Sequence, residues 1–156
     1  VVVGLGRSLD ILKTDRRMLN AYNVRLYSLF VYNEIIKGLF VGDAQDAKQF
    51  VVDKPDGVIY CVLEGRPTDE PIKSVSIQVL GTDQRIIKSN KQAVLRLIHD
   101  DLVQGKDVLV HCGAGIERSP LVVACYLADY HEMSMDDAYK KVIANRPQAQ
   151  DRRIWL

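Results

Sequence analysis

An α/β domain, with one central and mainly parallel sheet covered by helices on both faces, is what this 156-residue sequence predicts. Three observations carry that expectation. The runs Val58–Leu63 and Val108–Val110 are apolar almost throughout, as strands buried on both faces are. Amphipathic or wholly apolar segments of helical length lie between and after them. A content of 47% hydrophobic residues is enough for one sizeable core.

Residues 1–31 read as a helical appendage, with Ser8 capping a helix from Leu9 to about Tyr22. The opening VVVGLGRS has two glycines of a dinucleotide-binding turn. It lacks the third glycine and an acidic residue after a second strand, which argues against that role. Residues 32–156 form the domain proper. Leu39–Val41 reads as a strand and Asp43 as the cap of a helix through Val51. Val58–Leu63 follows the turn Pro55-Asp56-Gly57, and Ser74–Val79 alternates like a half-exposed strand. Ser89 opens a helix to Gln104 that turns Ala93, Val94, Leu97, Ile98 and Leu102 inward, and Gly105 ends it. Val108–Val110 is the central strand. The segment from Arg118 starts a helix that is apolar nearly all round from Leu121 to His131, so it is buried. Pro120 suits its first turn, where a missing N–H costs nothing. Ser134 and Asp137 form a capping box for a last helix with Met135, Ala138, Tyr139, Val142 and Ile143 on one face. That helix stops at Asn145-Arg146-Pro147.

A formal net charge of +1 gives no global reason to expect nucleic-acid binding. The charge is uneven, however. Asp43–Glu70 holds seven acidic and three basic residues, whereas Lys140–Leu156 holds five basic and one acidic. The basic stretch is either a solvated helix face or a field that draws in anionic substrates. Cys61, Cys112 and Cys125 are an odd number without disulfide-framework spacing, and Cys61 and Cys125 sit in apolar segments as core residues do. The expected location is the reducing cytoplasm. No apolar run approaches membrane-span length, and no signal-peptide pattern is visible.

The stretch His111–Pro120, HCGAGIERSP, lies between an apolar strand and an apolar helix. A cysteine at the strand's end, two glycines, then Arg-Ser at a helix start describe an anion cradle with a nucleophile at its floor. Backbone amides of Gly113, Ala114, Gly115, Ile116 and Glu117 can turn inward, helped by the positive end of the helix. Arg118 can grip two oxygens with its planar guanidinium, and the same field favours the Cys112 thiolate.

These residues resemble the active-site motif of cysteine-dependent protein tyrosine phosphatases, HC-x-x-G-x-x-R-S. The form HC-x-A-G-x-x-R-S, here His111, Cys112, Ala114, Gly115, Arg118 and Ser119, is similar to that of the compact dual-specificity branch. Ile36–Gly42, IKGLFVG, also resembles the strand with which that branch opens. The resemblance spans roughly Tyr32–Gln150 and implies a protein tyrosine phosphatase-like fold, a cysteinyl-phosphate intermediate, and neither metal nor cofactor. It implies a general acid on a separate loop about 30 residues before the cysteine. Asp83, in the turn after Val79-Leu80, is the match, with Asp69 on an earlier loop as substitute. Asp100 and Asp101 sit within a helix and are poor competitors. By the same resemblance Ser119 stabilises the departing thiolate, His111 orients the loop, and Gln150 positions the hydrolytic water. Each has a plainer reading: helix capping for Ser119, a core histidine for His111, a surface residue for Gln150. Glu117 departs from the pattern, since relatives carry a small or neutral residue there. Pointing outward it would repel acidic substrates, and pointing inward it would pair with Arg118.

The expected activity is hydrolysis of phosphate monoesters, with phosphotyrosine and phosphoserine or phosphothreonine proteins as substrates. RNA 5′-phosphates and phosphoinositides are alternatives that the basic C-terminal stretch keeps open. Phosphoglucan is less attractive, because no carbohydrate module is visible. A phospho-binding module without turnover is the alternative of a different class, and the presence of Cys112 speaks against it.

Overall fold

The computed structural model describes residues 31–156, and the helix expected from Leu9 to Tyr22 lies outside them. Tyr32–Leu156 form one compact unit. Among the described residues five strands make one sheet: β1 (Asn33–Ile36), β2 (Leu39–Gly42), β3 (Val58–Cys61), β4 (Val75–Ser76) and β5 (Val108–His111). Their order is β1-β2-β5-β3-β4. β1 runs antiparallel to β2, and every other pairing is parallel. The helices are α1 (Ala44–Asp53), α2 (Lys88–Val103), α3 (Arg118–Tyr130) and α4 (Met135–Asn145), followed by a 3-10 turn at Arg153–Trp155.

Alternation along the strands decides which side each helix covers. Leu39 and Val41 of β2, Tyr60 of β3, and Val108 and Val110 of β5 face the larger core layer, where α2, α3 and α4 pack. Phe40, Ile59 and Leu109 face the other way, onto Ala47 and Phe50 of α1. Leaving a side chain such as Phe50 in water would forfeit about 1.5–3 kcal/mol of burial. α3 packs against both α2 and α4, so Ser119 through Leu127 are buried without a break. This is why its sequence is apolar on every side.

The structure revises several elements. β1 pairs with β2 as a hairpin, where the sequence suggested a single strand near Leu39. β4 is only Val75–Ser76, both exposed, rather than Ser74–Val79. α2 begins at Lys88 with Ile87 at the cap position, and the Ser89 hydroxyl lies near Asn90 instead of capping. Its buried stripe is Val94, Leu95 and Ile98. Ala93 and Leu97 are exposed. Gly105 closes α2 at φ +78°, a conformation that favours glycine. Ser134 caps α4 by accepting from the Asp137 amide, and Ile143 lies partly in solvent.

The carboxyl ends of β2, β3 and β5 align, with Gly42 and Cys61 both in register with His111. Ligands of parallel α/β sheets bind at this edge. The turn after β2 is held by a reciprocal capping box: the Asp46 amide donates to Asp43 Oδ1 (2.8 Å) and the Asp43 amide to Asp46 Oδ2 (2.9 Å). Asp46 is fully buried and its Oδ1 has no partner. Burial, the largest cause, raises its pKa from 3.8 to about 7, against the nearby Arg146 guanidinium. A carboxyl group whose folded pKa is raised stabilises the fold at low pH, and that contribution drains away between about pH 4 and pH 7. Asp46→Asn keeps an oxygen for the Asp43 amide and cannot ionise. Its thermal stability relative to the parent is therefore expected to improve by about 1–4 kcal/mol on going from pH 5 to pH 8. Parallel melting curves at the two pH values check this, and an unchanged difference would overturn it.

Candidate active site

Cys112 follows β5 directly and is buried at the floor of the loop that leads into α3. The loop's carbonyls are fastened from outside. The carbonyl of Cys112 accepts from His111 Nδ1 (3.1 Å) and that of Gly113 from the Ala44 amide (3.2 Å). The carbonyl of Gly115 accepts from Arg146 Nε (2.6 Å) and that of Ile116 from the Gln150 amide (2.8 Å). In a trans peptide the following N–H points opposite to the carbonyl. The amides of Gly113, Ala114, Ile116 and Glu117 are thereby turned away from these tethers and into the loop. They form a ready cradle for an oxyanion at the N-terminus of α3.

Gly115 shows why one loop position tolerates nothing larger. Its φ is +65°, and a Cβ there would lie 2.3 Å from Arg146 Nη2 and 2.6 Å from the Gly42 carbonyl oxygen. Gly113, by contrast, has negative φ and open space around it. Of these two loop glycines, Gly115 alone has a steric need to be glycine.

Ser119 Oγ lies 3.3 Å from Cys112 Sγ and 3.3 Å from the Gly42 carbonyl oxygen, all buried. A hydroxyl has one proton, so it serves one acceptor at a time. With a neutral thiol it can donate to Gly42 and accept from Sγ–H; with a thiolate it can turn to the sulfur. This arrangement suits the role that the sequence suggested for Ser119.

His111 is fully buried, and both of its ring nitrogens face acceptors: Nδ1 the Cys112 carbonyl, Nε2 the Glu70 carboxylate at 2.7 Å. Acceptors on both sides require an imidazolium. Burial pulls its pKa down, but hydrogen bonding to Cys61 and Glu70 outweighs that and holds it at about 9. His111 is thus bonded to the loop backbone at the Cys112 carbonyl. Glu70, its other partner, was not singled out in the sequence.

Arg118 opens α3 and donates through Nε to Glu64 Oε1 at 2.8 Å, a half-exposed pair. Arg118 lines a cavity of about 310 Å³ together with Glu64 and Glu117. Gly81, Thr82, Gln84 and Trp155 line the same cavity. The loop that carries Asp83 therefore shares a cavity with Arg118. Asp83 itself bonds to its own turn, accepting from the Arg85 amide at 3.1 Å. Asp69 is bound to Lys48 (2.5 Å), and that hydrogen bond lowers its pKa, the wrong direction for an acid that must be protonated. Asp101 accepts from the Tyr60 hydroxyl and from Lys106.

Glu117 follows neither expected orientation. Its carboxylate accepts from Arg152 Nε at 2.7 Å, and Arg152 Nη2 donates to Gln150 Oε1 at 2.8 Å. Gln150 is tied to the loop by its backbone, while its amide side chain is occupied by Arg152. The sequence also passed over Arg146, one of the largest fully buried side chains. From the end of α4 it binds Gly115, Asn33 Oδ1 (2.8 Å) and, at 3.9 Å, Asp46. Its only sequence signal was the helix stop Asn-Arg-Pro.

Comparison with known proteins agrees with this geometry. The family model described as "Dual specificity phosphatase, catalytic domain" matches residues 56–154. Dual specificity protein phosphatase 22 of Mus musculus is 30% identical over 117 residues, which cover 73% of this chain and 64% of that protein. The chain thus spans less than two thirds of that relative's length. Protein 123R of Invertebrate iridescent virus 6 is 39% identical over 113 residues, covering 72% and 78% respectively. A crystal structure of DUSP15 aligns with a TM-score of 0.67 at 25% identity, covering 78% of this chain and 80% of that one. With the Cys112–Arg118 loop set at the carboxyl edge of its sheet and a family model matching most of its length, the chain belongs to the dual-specificity phosphatase catalytic-domain family.

Proposed function

We propose that this chain hydrolyses phosphate monoesters on tyrosine, serine and threonine residues of proteins through a cysteinyl-phosphate intermediate. The observation that carries the reading is the set of carbonyl tethers around the loop after Cys112, which by trans-peptide geometry turns the following amides away from the tethers. The Cys112 thiolate attacks phosphorus while the amides and Arg118 hold the equatorial oxygens. The P–O bond to the substrate breaks, and its oxygen takes the proton of Asp83. Water then attacks the phosphocysteine and gives a proton back to Asp83. The S–P bond breaks, and Ser119 turns its hydroxyl to the leaving thiolate.

Protein substrates are favoured over RNA or lipid headgroups by the state of the C-terminal basic stretch. Arg146 is buried, Arg152 is paired with Glu117, and Arg153 is paired with Asp136 and Asp151. Its arginine charge is thus engaged locally, which leaves the exposed Lys140, 3.9 Å from Asp137, and the exposed Lys141 on α4 as its solvent-facing cations. The chain is expected to turn over an aryl phosphate in the presence of a chelator. It is also expected to prefer phosphopeptides to RNA 5′-triphosphate and phosphoinositide by at least about tenfold in kcat/KM, a difference of ~1.4 kcal/mol. Faster turnover of RNA or lipid would displace the protein reading, and phosphopeptide binding without turnover would displace the enzyme. The reducing cytoplasm suits a thiolate nucleophile. Among the described residues no helix is long and apolar enough to cross a membrane.

Because Arg152 already balances Glu117, removing that carboxylate frees a cation at the cavity. Glu117→Gln is expected to raise kcat/KM for acidic-flanked phosphopeptides by about 2–5-fold, the scale of one half-exposed ion pair. Basic-flanked peptides serve as the comparison, and equal effects on both would overturn the assignment.

A further inference from the structure

Behind the phosphate-binding loop, on the opposite side of the sheet edge from the Cys112 sulfur, three side chains of different chemistry converge. Cys61 ends β3, His111 ends β5, and Glu70 comes from the connection after β3. One ligand-capable atom from each lies within 4.8 Å of the other two, and all three residues are buried. No other such group occurs among the described residues. The Cys61–His111 register fixes two of the ligands on adjacent parallel strands. Glu70 sits where Arg66 gathers the connection by donating to the carbonyls of Pro71 (2.7 Å) and Ile72 (3.0 Å).

We propose that Cys61, Glu70 and His111 form a binding site for a zinc-like divalent cation, separate from the catalytic cysteine. A thiolate, an imidazole and a carboxylate are a donor set that selects Zn²⁺ over Mg²⁺ or Ca²⁺. The ring orientation is already prepared. The Cys112 carbonyl can only accept, so it keeps the proton on Nδ1, and Nε2 becomes the coordinating nitrogen once its own proton leaves, the usual way a metal-bound histidine is oriented. In the metal-free protein Nε2 and Glu70 Oε1 share a proton at 2.7 Å. In a tetrahedral zinc site such ligand atoms stand about 3.3 Å apart, so Glu70 has to retreat by roughly 0.6 Å. It belongs to a connection rather than a strand, which makes it the member able to move. On loading, the Cys61 thiol proton and the Nε2 proton pass to solvent, three metal–ligand bonds form, and water can fill the fourth position. No oxidation or reduction is involved. The Nδ1–H bond to the loop is retained, so the metal holds the loop from behind and takes no part in the phosphoryl chemistry.

The test uses Co²⁺ as a spectroscopic probe on the whole chain carrying Cys112→Ser, which removes the catalytic sulfur as a ligand. One equivalent of Co²⁺ is expected to give tetrahedral d–d bands with a thiolate-to-cobalt charge-transfer band, and Zn²⁺ is expected to displace it. The charge-transfer band is expected to vanish in Cys112→Ser/Cys61→Ser and to survive in Cys112→Ser/Cys125→Ser. Glu70→Gln, a milder change should Cys61→Ser fail to fold, is expected to weaken Co²⁺ binding by about 10–100-fold, the scale seen even for outer-shell partners. A folded Cys112→Ser protein without the band overturns the proposal. So does a band that persists without Cys61 or disappears without Cys125. None of these readouts depends on turnover, so the site and the enzymatic reading stand or fall separately.

Discussion

Cys112→Ser is expected to abolish turnover of an aryl phosphate, by about 10⁴-fold or more, while leaving phosphate or vanadate binding nearly intact. The two halves of this result come from different atoms. Turnover needs a sulfur anion in line with phosphorus, and a serine hydroxyl in the same place is not ionised at neutral pH. Binding needs the inward amides and Arg118, and none of the outward tethers involves the Cys112 side chain. The Ser119 contact to Sγ is changed, yet its bond to the Gly42 carbonyl can remain. Titration calorimetry with phosphate, alongside steady-state kinetics, separates the two. Oxyanion binding lost together with activity would mean that the sulfur supports the loop's shape. Residual turnover within tenfold of the parent would remove Cys112 as the nucleophile.

The cradle was legible because Cys112 to Ser119 are contiguous, and the elements around it carry unmistakable patterns. β3 and β5 are buried on both faces, so their sequences are apolar without alternation. What stayed hidden arrives from far along the chain. Glu70 reaches His111 across 41 residues, Glu64 reaches Arg118 across 54, and Arg146 reaches Gly115 across 31. Nothing local marks these residues, since an acidic loop residue and an arginine at a helix stop are ordinary surface features until the fold buries them. The displaced face of α2 has a different cause. Val94, Ile98 and Leu102 belong to the inward side under either reading. Leu95 and Leu97 flank that line, and only the packing partners decide between them. β1 was missed because Asn33 and Glu34 give it a polar start, and its support is the ladder with β2 rather than its own burial pattern.

The second large effect is expected at Asp83, where the chemistry depends on a loop rather than on the cradle. Gly81, Thr82 and Gln84, which flank Asp83, line the same cavity as Arg118, while the competitor Asp69 is kept ionised by Lys48 and Asp101 is engaged by Tyr60 and Lys106. In the structure the Asp83 carboxylate accepts from the Arg85 amide, so acting as the acid requires it to leave its own turn and swing toward the leaving group. Asp83→Asn keeps a bond to that amide, which preserves the turn, and removes the transferable proton. Hydrolysis of an alkyl phosphate, whose alkoxide leaves poorly, is expected to fall by about 10²–10³-fold. An aryl phosphate with a stable phenolate is expected to lose less than about tenfold, since it needs little protonation. Parallel steady-state kinetics on the two substrates check this. Equal losses on alkyl and aryl substrates would show that Asp83 only shapes its turn, and the acid would then have to come from another residue.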